Sequence, residues 1–388
     1  MRDAVLETSD GLGGPAWLLP VAFTAVGAAL ACAIAQWVPY AAGSGIQHVE
    51  AVWRKEGETG VLWLLPAKFF GGVIAIGSGL VLGREGPTVH MGASIGVEAG
   101  HRARLGGEDV RLLQTALGGA GLAVAFGAPL GGLLFVCEEV TRTVRPRLVL
   151  LALIGTATAV SCSWLVVGGG LVFPMPEVSA PGLWLLPVFL LFGVTAGGLG
   201  AAYSGLVVGT LSFFDRLTKV PVVARAAVIG AVVGLLLVLE PAVVGDGDPL
   251  SQQLLEGRGL AVTLLTWYLV VRFVTGPLSY AAATPGGLFA PLLALGALWG
   301  ALAHTSVAPL LLGHGPGTVA FAAVGMAALF AAVVRAPVTG LVLVVEMTGA
   351  TSLIVPMLAA CFAATLTADV LGSRPVYDSL RQRMLERP

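Results

Sequence analysis

The chain has 388 residues, of which 56% are hydrophobic and 11% charged, with a formal net charge of −1. Ordinary soluble domains are about 25% charged, so this composition points to a lipid bilayer as the solvent. A net charge near zero excludes a nucleic-acid binder, which needs an excess of basic residues.

The opening segment Met1–Pro15 mixes Arg2 with Asp3, Glu7 and Asp10, and the apolar run after it, Trp17–Val38, is longer than the core of a cleaved signal. It is read as a spanning helix. A second apolar stretch, Val61–Leu82, leads into Gly83-Arg84-Glu85-Gly86-Pro87 and then into Met91–Gly96. A charge at mid-membrane costs roughly 2.5 to 3.5 kcal/mol on insertion scales, and such residues line ion or proton pathways. Glu85 is therefore predicted to be functional rather than half of a surface pair with Arg84. The glycines and Pro87 break the helix and leave backbone N–H groups in need of a partner, which places Glu85 at a helix N-terminus, where anions bind.

Further breaks interrupt apolar runs at Gly127-Ala128-Pro129, Pro285-Gly286-Gly287 and Ala336-Pro337. Broken helices of this kind build binding sites in transporters. Basic residues gather in the gaps, at Arg102/Arg104/Arg111, Arg142/Arg145/Arg147, Arg216/Lys219/Arg225 and the tail Arg374/Arg381/Arg383/Arg387, which predicts a cytoplasmic C-terminus. Cys32, Cys137, Cys162 and Cys361 lie inside apolar runs without CxxC spacing and are expected to be buried free thiols. His48, His101, His304 and His314 fall at segment ends and form no metal-spaced cluster, so no metal or organic cofactor is implied.

An internal repeat is visible. The run from Lys68-Phe69-Phe70-Gly71-Gly72 to Gly83–Pro87 recurs as Arg272-Phe273-Val274-Thr275-Gly276 to Gly287–Pro291. Ala128–Gly132 followed by Glu138 likewise recurs as Ala336–Gly340 followed by Glu346. Two halves sharing one plan predict an all-α polytopic membrane protein, with an inverted arrangement favoured and a site at the midplane between the halves.

The runs GSGIQ (Gly43–Gln47), GREGPTVHMG (Gly83–Gly92), AFGAPLGGLLFVCEE (Ala125–Glu139), PGGLFAP (Pro285–Pro291) and RAPVTGLVLVVEMT (Arg335–Thr348) together resemble the CLC family of chloride channels and proton-coupled chloride transporters, from about Trp17 to Tyr377. The resemblance implies a CLC-type fold and a homodimer in the lipid bilayer with a separate pore in each subunit. It also implies an anion site where Gly43–Ile46, Gly83–Pro87 and Gly287–Pro291 meet. Its chloride-binding residues would be Ser44, Gly45, Ile46, Arg84, Gly86, Leu288, Phe289 and Tyr377. Glu85 matches the gating glutamate, which competes with chloride and carries protons, and Glu139 matches the inner proton glutamate. Lys68 and Glu138 are expected to form polar support around Glu139, and Glu346 is given a structural role.

Within the family an acidic residue at the inner position accompanies coupled exchange, so proton/chloride antiport is expected ahead of a passive channel. Retained Ser44 and Tyr377 argue against a fluoride-selective relative. Gln47 stands where proline is usual and His90 where glutamine is typical. His90 lies a turn and a half beyond Glu85 and is read as structural. The expected organisation is an N-terminal tail over residues 1–16, a first membrane repeat over 17–173 lacking the family's first two helices, a second repeat over 174–371 and a short cytoplasmic tail over 372–388. No regulatory domain is expected, and the membrane is expected to be a bacterial plasma membrane. A rival enzyme reading rests on Gly92-Ala93-Ser94-Ile95-Gly96, but a nucleophile elbow needs a preceding strand and His/Asp partners, whereas this run continues a helix.

Overall fold

Apolar runs fold as helices because lipid offers no partner to backbone N–H and C=O groups, and a helix pairs them within one segment. The computed structural model describes residues 17–311 and 317–386; the expected tail 1–16, His314 and Arg387 lie outside the described residues. The first repeat runs α1 (Leu18–Trp37), α2 (Ile46–Trp53), α3 (Leu64–Gly77), α4 (Glu85–Arg102), α5 (Gly107–Phe126), α6 (Pro129–Phe135) with a π turn at Val136–Val140, and α7 (Pro146–Val167). A long α8 (Leu186–Asp215) leads into α9 (Val222–Leu239), α10 (Asp248–Leu255), α11 (Val262–Tyr280), α12 (Phe289–Val307), α13 (Thr318–Val334), α14 (Pro337–Thr348) and α15 (Ile354–Val370). The tail forms α16 (Val376–Glu386).

Among the described residues seven helices, α1, α7, α8, α9, α11, α12 and α15, are long and apolar enough to cross a membrane. The Val61–Leu82 stretch instead yields a 14-residue α3, about 21 Å at 1.5 Å per residue and short of a bilayer core. Beyond its end the chain turns at Gly79, whose φ of 110° suits glycine, and reaches the Gly83–Pro87 break inside the protein.

The repeats are inverted about a two-fold axis. Gly83 and Gly287 exchange backbone hydrogen bonds, each 2.8 Å long, as two equivalent residues facing each other across such an axis must. Helices α2 and α10 are both eight residues long and both follow a left-handed glycine, Gly45 at φ 90° and Gly247 at φ 97°. Helices α6 and α14 both begin with proline after an alanine of nearly identical backbone. Between them the Glu138 carboxylate accepts from the N–H groups of Val338 (3.1 Å) and Thr339 (2.7 Å), and Glu346 returns the arrangement to Leu130 (3.1 Å) and Gly131 (2.7 Å). Each carboxylate caps the other repeat's helix N-terminus, satisfying donors that would otherwise be orphaned.

Close helix crossings place the central helices. Gly92 and Gly96 of α4 press on the Leu117 and Leu113 carbonyls of α5, and Gly296 and Gly300 of α12 press on the Gly325 and Phe321 carbonyls of α13. A Cβ at any of these four positions would overlap backbone, so small residues set the approach, as is common where lipid gives helices no hydrophobic drive to associate. This also accounts for the G-x-S-x-G run: its glycines are packing contacts, and Ser94 Oγ donates to the His90 carbonyl within the helix (2.9 Å).

Cations gather around α16, where Arg54 and Arg142 pair with Asp378 and Arg383 pairs with Asp215, while Asp246 and Asp248 lie at the Gly245–Gly247 loop, where Arg84 approaches Asp248. The face bearing α16 is the one that the positive-inside rule would make the inner face. One cysteine departs from expectation. Cys32, Cys137 and Cys361 are buried, but Cys162 is exposed, because it lies on the outward side of α7, the least buried of the spanning helices.

Candidate functional site

Three helix N-termini converge at the centre: α2 from the inner face, and α4 and α12 from the two repeats. Each begins inside the protein because a glycine-rich break precedes it, and each brings partial positive charge to one place. Glu85 is the first residue of α4 and is 1% exposed. Its carboxylate folds back so that Oε2 accepts from the Ala290 N–H at the start of α12 (3.4 Å), in the space beside Gly83 that a Cβ there would fill. A carboxylate held on another repeat's helix N-terminus stands in for a bound anion.

Below it, the Ser44 hydroxyl abuts the Gly86 backbone, which tolerates no Cβ. Phe289 stacks edge-to-face on Tyr377 (ring centroids 5.6 Å apart). The Ser44 and Tyr377 hydroxyls approach each other, yet neither makes a hydrogen bond of ordinary geometry with the described residues. Two buried donors without an ordinary partner are what a small anion would engage. The loop is braced by Lys68, whose Nζ donates to the carbonyls of Gly43 (2.7 Å) and Ser44 (3.2 Å), and by the Tyr280 hydroxyl, which accepts from the Ser44 N–H (3.3 Å).

Other expected residues take different places. The Arg84 side chain is 56% exposed and points outward to Asp248 at 4.0 Å, so only its backbone borders the site. Lys68 supports the Gly43–Ser44 loop, and Glu138 is the inter-repeat cap described above, because its carboxylate is taken up by the N-terminus of α14. Lys68 thus makes its hydrogen bonds to that loop, while Glu138, though held as a cap, remains one of the charges acting on Glu139. Gln47 uses its side-chain carbonyl to accept from the Gly45 N–H (3.2 Å).

Glu139 lies in the π turn after α6, buried, with neither carboxylate oxygen hydrogen-bonded among the described residues. Besides the adjacent Glu138, its charged neighbours are Glu50, Arg142 and Asp378. They belong to an inner cluster that the sequence reading missed. Arg54 pairs with Glu50 (2.7 Å), Arg142 with Asp378 (2.7 Å), and Arg381 with Glu50, Glu56 and Asp378. Burial alone would raise the Asp378 carboxyl, but hydrogen bonds and charge from Arg142, with Arg381 beyond, hold it below the usual carboxylate value. This cluster docks α16 and so positions Tyr377. The i, i+4 spacing of Glu50 and Arg54 was the available signal; nothing local pointed to residues more than 300 positions away.

Inverted repeats with broken helices aimed at a central carboxylate define a membrane transporter architecture. The chain belongs to the voltage-gated chloride channel family, whose pattern matches residues 26–369. It is 38% identical over 396 residues to the H(+)/Cl(-) exchange transporter ClcA of Vibrio parahaemolyticus, spanning 99% of this chain and 84% of that protein. It is 40% identical over 362 residues to its namesake in Vibrio cholerae, over 90% and 76% of the two chains. Among solved structures, a slow cyanobacterial Cl-/H+ antiporter has a TM-score of 0.91 at 27% identity, with 100% of this chain and 91% of that one covered. A CLC-type fluoride/proton antiporter shares the fold with a TM-score of 0.75 at 21% identity, over 95% and 91% of the two chains. The protein is thus a multi-pass membrane protein, and its bacterial relatives agree with the expected plasma membrane.

Proposed function

We propose that this chain exchanges chloride for protons across the membrane, with Glu85 as the group both ions share. The observation that carries this reading is the Glu85 carboxylate on the Ala290 N–H. In that position it takes an anion's seat; protonated, it loses its attraction for the helix N-terminus and leaves that seat to chloride. Ser44, Tyr377 and the backbone of Gly45, Ile46, Gly86, Leu288 and Phe289 form the chloride path from the inner face, and Glu139 passes protons between the inner charge cluster and Glu85. The relatives named as proton/chloride exchangers support coupling over a passive channel. The same reading includes a homodimer with one pathway per subunit, supported by the family resemblance.

The test is reconstitution in liposomes under a chloride gradient, with proton movement recorded for wild type, Glu85→Gln and Glu139→Gln. Uphill proton transport in wild type, lost in both variants while chloride still moves, is expected. Chloride flux that never moves protons in wild type contradicts the exchanger.

A further inference from the structure

His48 and His90 form a couple beside the inner end of this path. His48 Nε2 lies 3.0 Å from the Glu58 carbonyl and His48 Nδ1 lies 2.9 Å from His90 Nε2. A carbonyl only accepts, so His48 carries its proton on Nε2, and its Nδ1 must accept from His90 Nε2–H. In the neutral couple His90 Nδ1 is therefore a bare lone pair. That nitrogen is buried and without a hydrogen-bond partner among the described residues. It presses against Gly45, where a Cβ would collide with the imidazole ring. His90 thus turns away from Glu85 and toward the loop that begins α2.

We propose that the His48–His90 couple is an anion-linked proton acceptor: it takes a proton onto His90 Nδ1 when an anion sits at the Gly43–Ile46 loop, and gives it back when the anion leaves. The inference rests on the reading of that loop as an anion site. A lone pair aimed at the loop repels an anion, whereas an N–H on an imidazolium attracts one, so each ion favours the other's binding. The groups facing the couple set the balance. Burial of both rings first opposes a charge on them, and Lys68, on α3, adds like charge while bracing the same loop, so a proton is disfavoured in the anion's absence. The Tyr40 ring stacks on His48 at 4.1 Å. On the cavity side stand Asp215, Arg225, Tyr280 and Arg383, lining with His48 a chamber of about 430 Å³. In the exchange one N–H bond forms at Nδ1 as a hydronium on the anion path becomes water, and the reverse accompanies anion release.

The test uses the full chain carrying Glu85→Gln, so that the gate's own carboxyl does not titrate. Sodium chloride binding is followed by calorimetry between about pH 8 and pH 5.5, in buffers of different ionisation enthalpy, to count protons taken up per chloride. Expected is binding that tightens roughly three- to tenfold on acidification with net proton uptake, and loss of most of both when His90→Gln is added. Glutamine keeps an N–H for His48 Nδ1 but cannot become a cation. If that variant fails to fold, His48→Phe serves instead. It keeps the Tyr40 stack and lets neutral His90 carry its proton on Nδ1, so the pH slope should flatten. An unchanged slope and proton count in whichever variant folds overturns the proposal while leaving the anion site standing. No chloride binding at any pH removes the anion-site reading and the proposal with it.

Discussion

The two mouths of the pathway share a backbone and differ in side chains. The inner mouth is Gly43-Ser44-Gly45-Ile46 and the outer is Gly245-Asp246-Gly247-Asp248, each with two left-handed glycines followed by an eight-residue helix. Each is braced by a buried cation from the equivalent helix: Lys68 on the Gly43 and Ser44 carbonyls, Arg272 on those of Ala242, Val244 and Gly245. A hydroxyl and an apolar residue stand at one end, and two carboxylates at the other. At the centre, helices α4 and α12 start at equivalent points, one with Glu85 and the other with Phe289. Duplication supplies a symmetric cradle of backbone N–H groups, and the unequal side chains make its two ends chemically different; on the function proposed above, the hydroxyl end is the one that admits an anion.

Replacing the two braces separately is the strongest way to break this symmetry. Lys68→Met removes two charge-assisted bonds, about 3 kcal/mol, and is expected to slow chloride flux from liposomes roughly a hundredfold. Arg272→Met should lower the melting temperature comparably but slow flux far less, and equal slowing by both would contradict the asymmetry. The inter-repeat caps should behave alike instead. Glu138→Ala and Glu346→Ala each strand two backbone donors and should cost about 1–3 kcal/mol in detergent unfolding.

Gln47→Pro releases the Gly45 N–H from the Gln47 side chain while keeping a residue tolerated in a first helical turn. Chloride binding measured by calorimetry should tighten by about 1 kcal/mol, roughly fivefold. The smallest effect is expected at the outer rim. Asp248→Asn removes a half-exposed charge 4.0 Å from Arg84, and should raise chloride entry from outside about twofold at low salt and not at high salt.

Much of this plan was legible in the chain. Trp17–Val38 becomes α1, Glu85 starts a helix at a glycine break, and the repeat of Lys68 to Pro87 in Arg272 to Pro291 foretells the two-fold axis. Length, breaks and repetition are local signals set by the lipid's demand for paired backbone. Less legible was the equivalence of the two mouths, because the loops share only their glycines, and glycine spacing is common in a chain with 54 of them. The capping roles of Glu138 and Glu346, the docking of α16 through Arg381, and the contact of His90 with His48 were hidden because each joins residues from 42 to over 300 positions apart. Exposed Cys162 was misread because an apolar run does not say which of its sides meets lipid and which meets protein.

The most direct measurement is anomalous diffraction from crystals of Glu85→Gln grown in bromide, set beside wild type. The account predicts in the variant a bromide peak within hydrogen-bond reach of the Ala290 N–H, where the wild-type carboxylate lies, and in both proteins a second between the Ser44 and Tyr377 hydroxyls. A variant without bromide at Ala290 would contradict the claim that Glu85 holds an anion's seat.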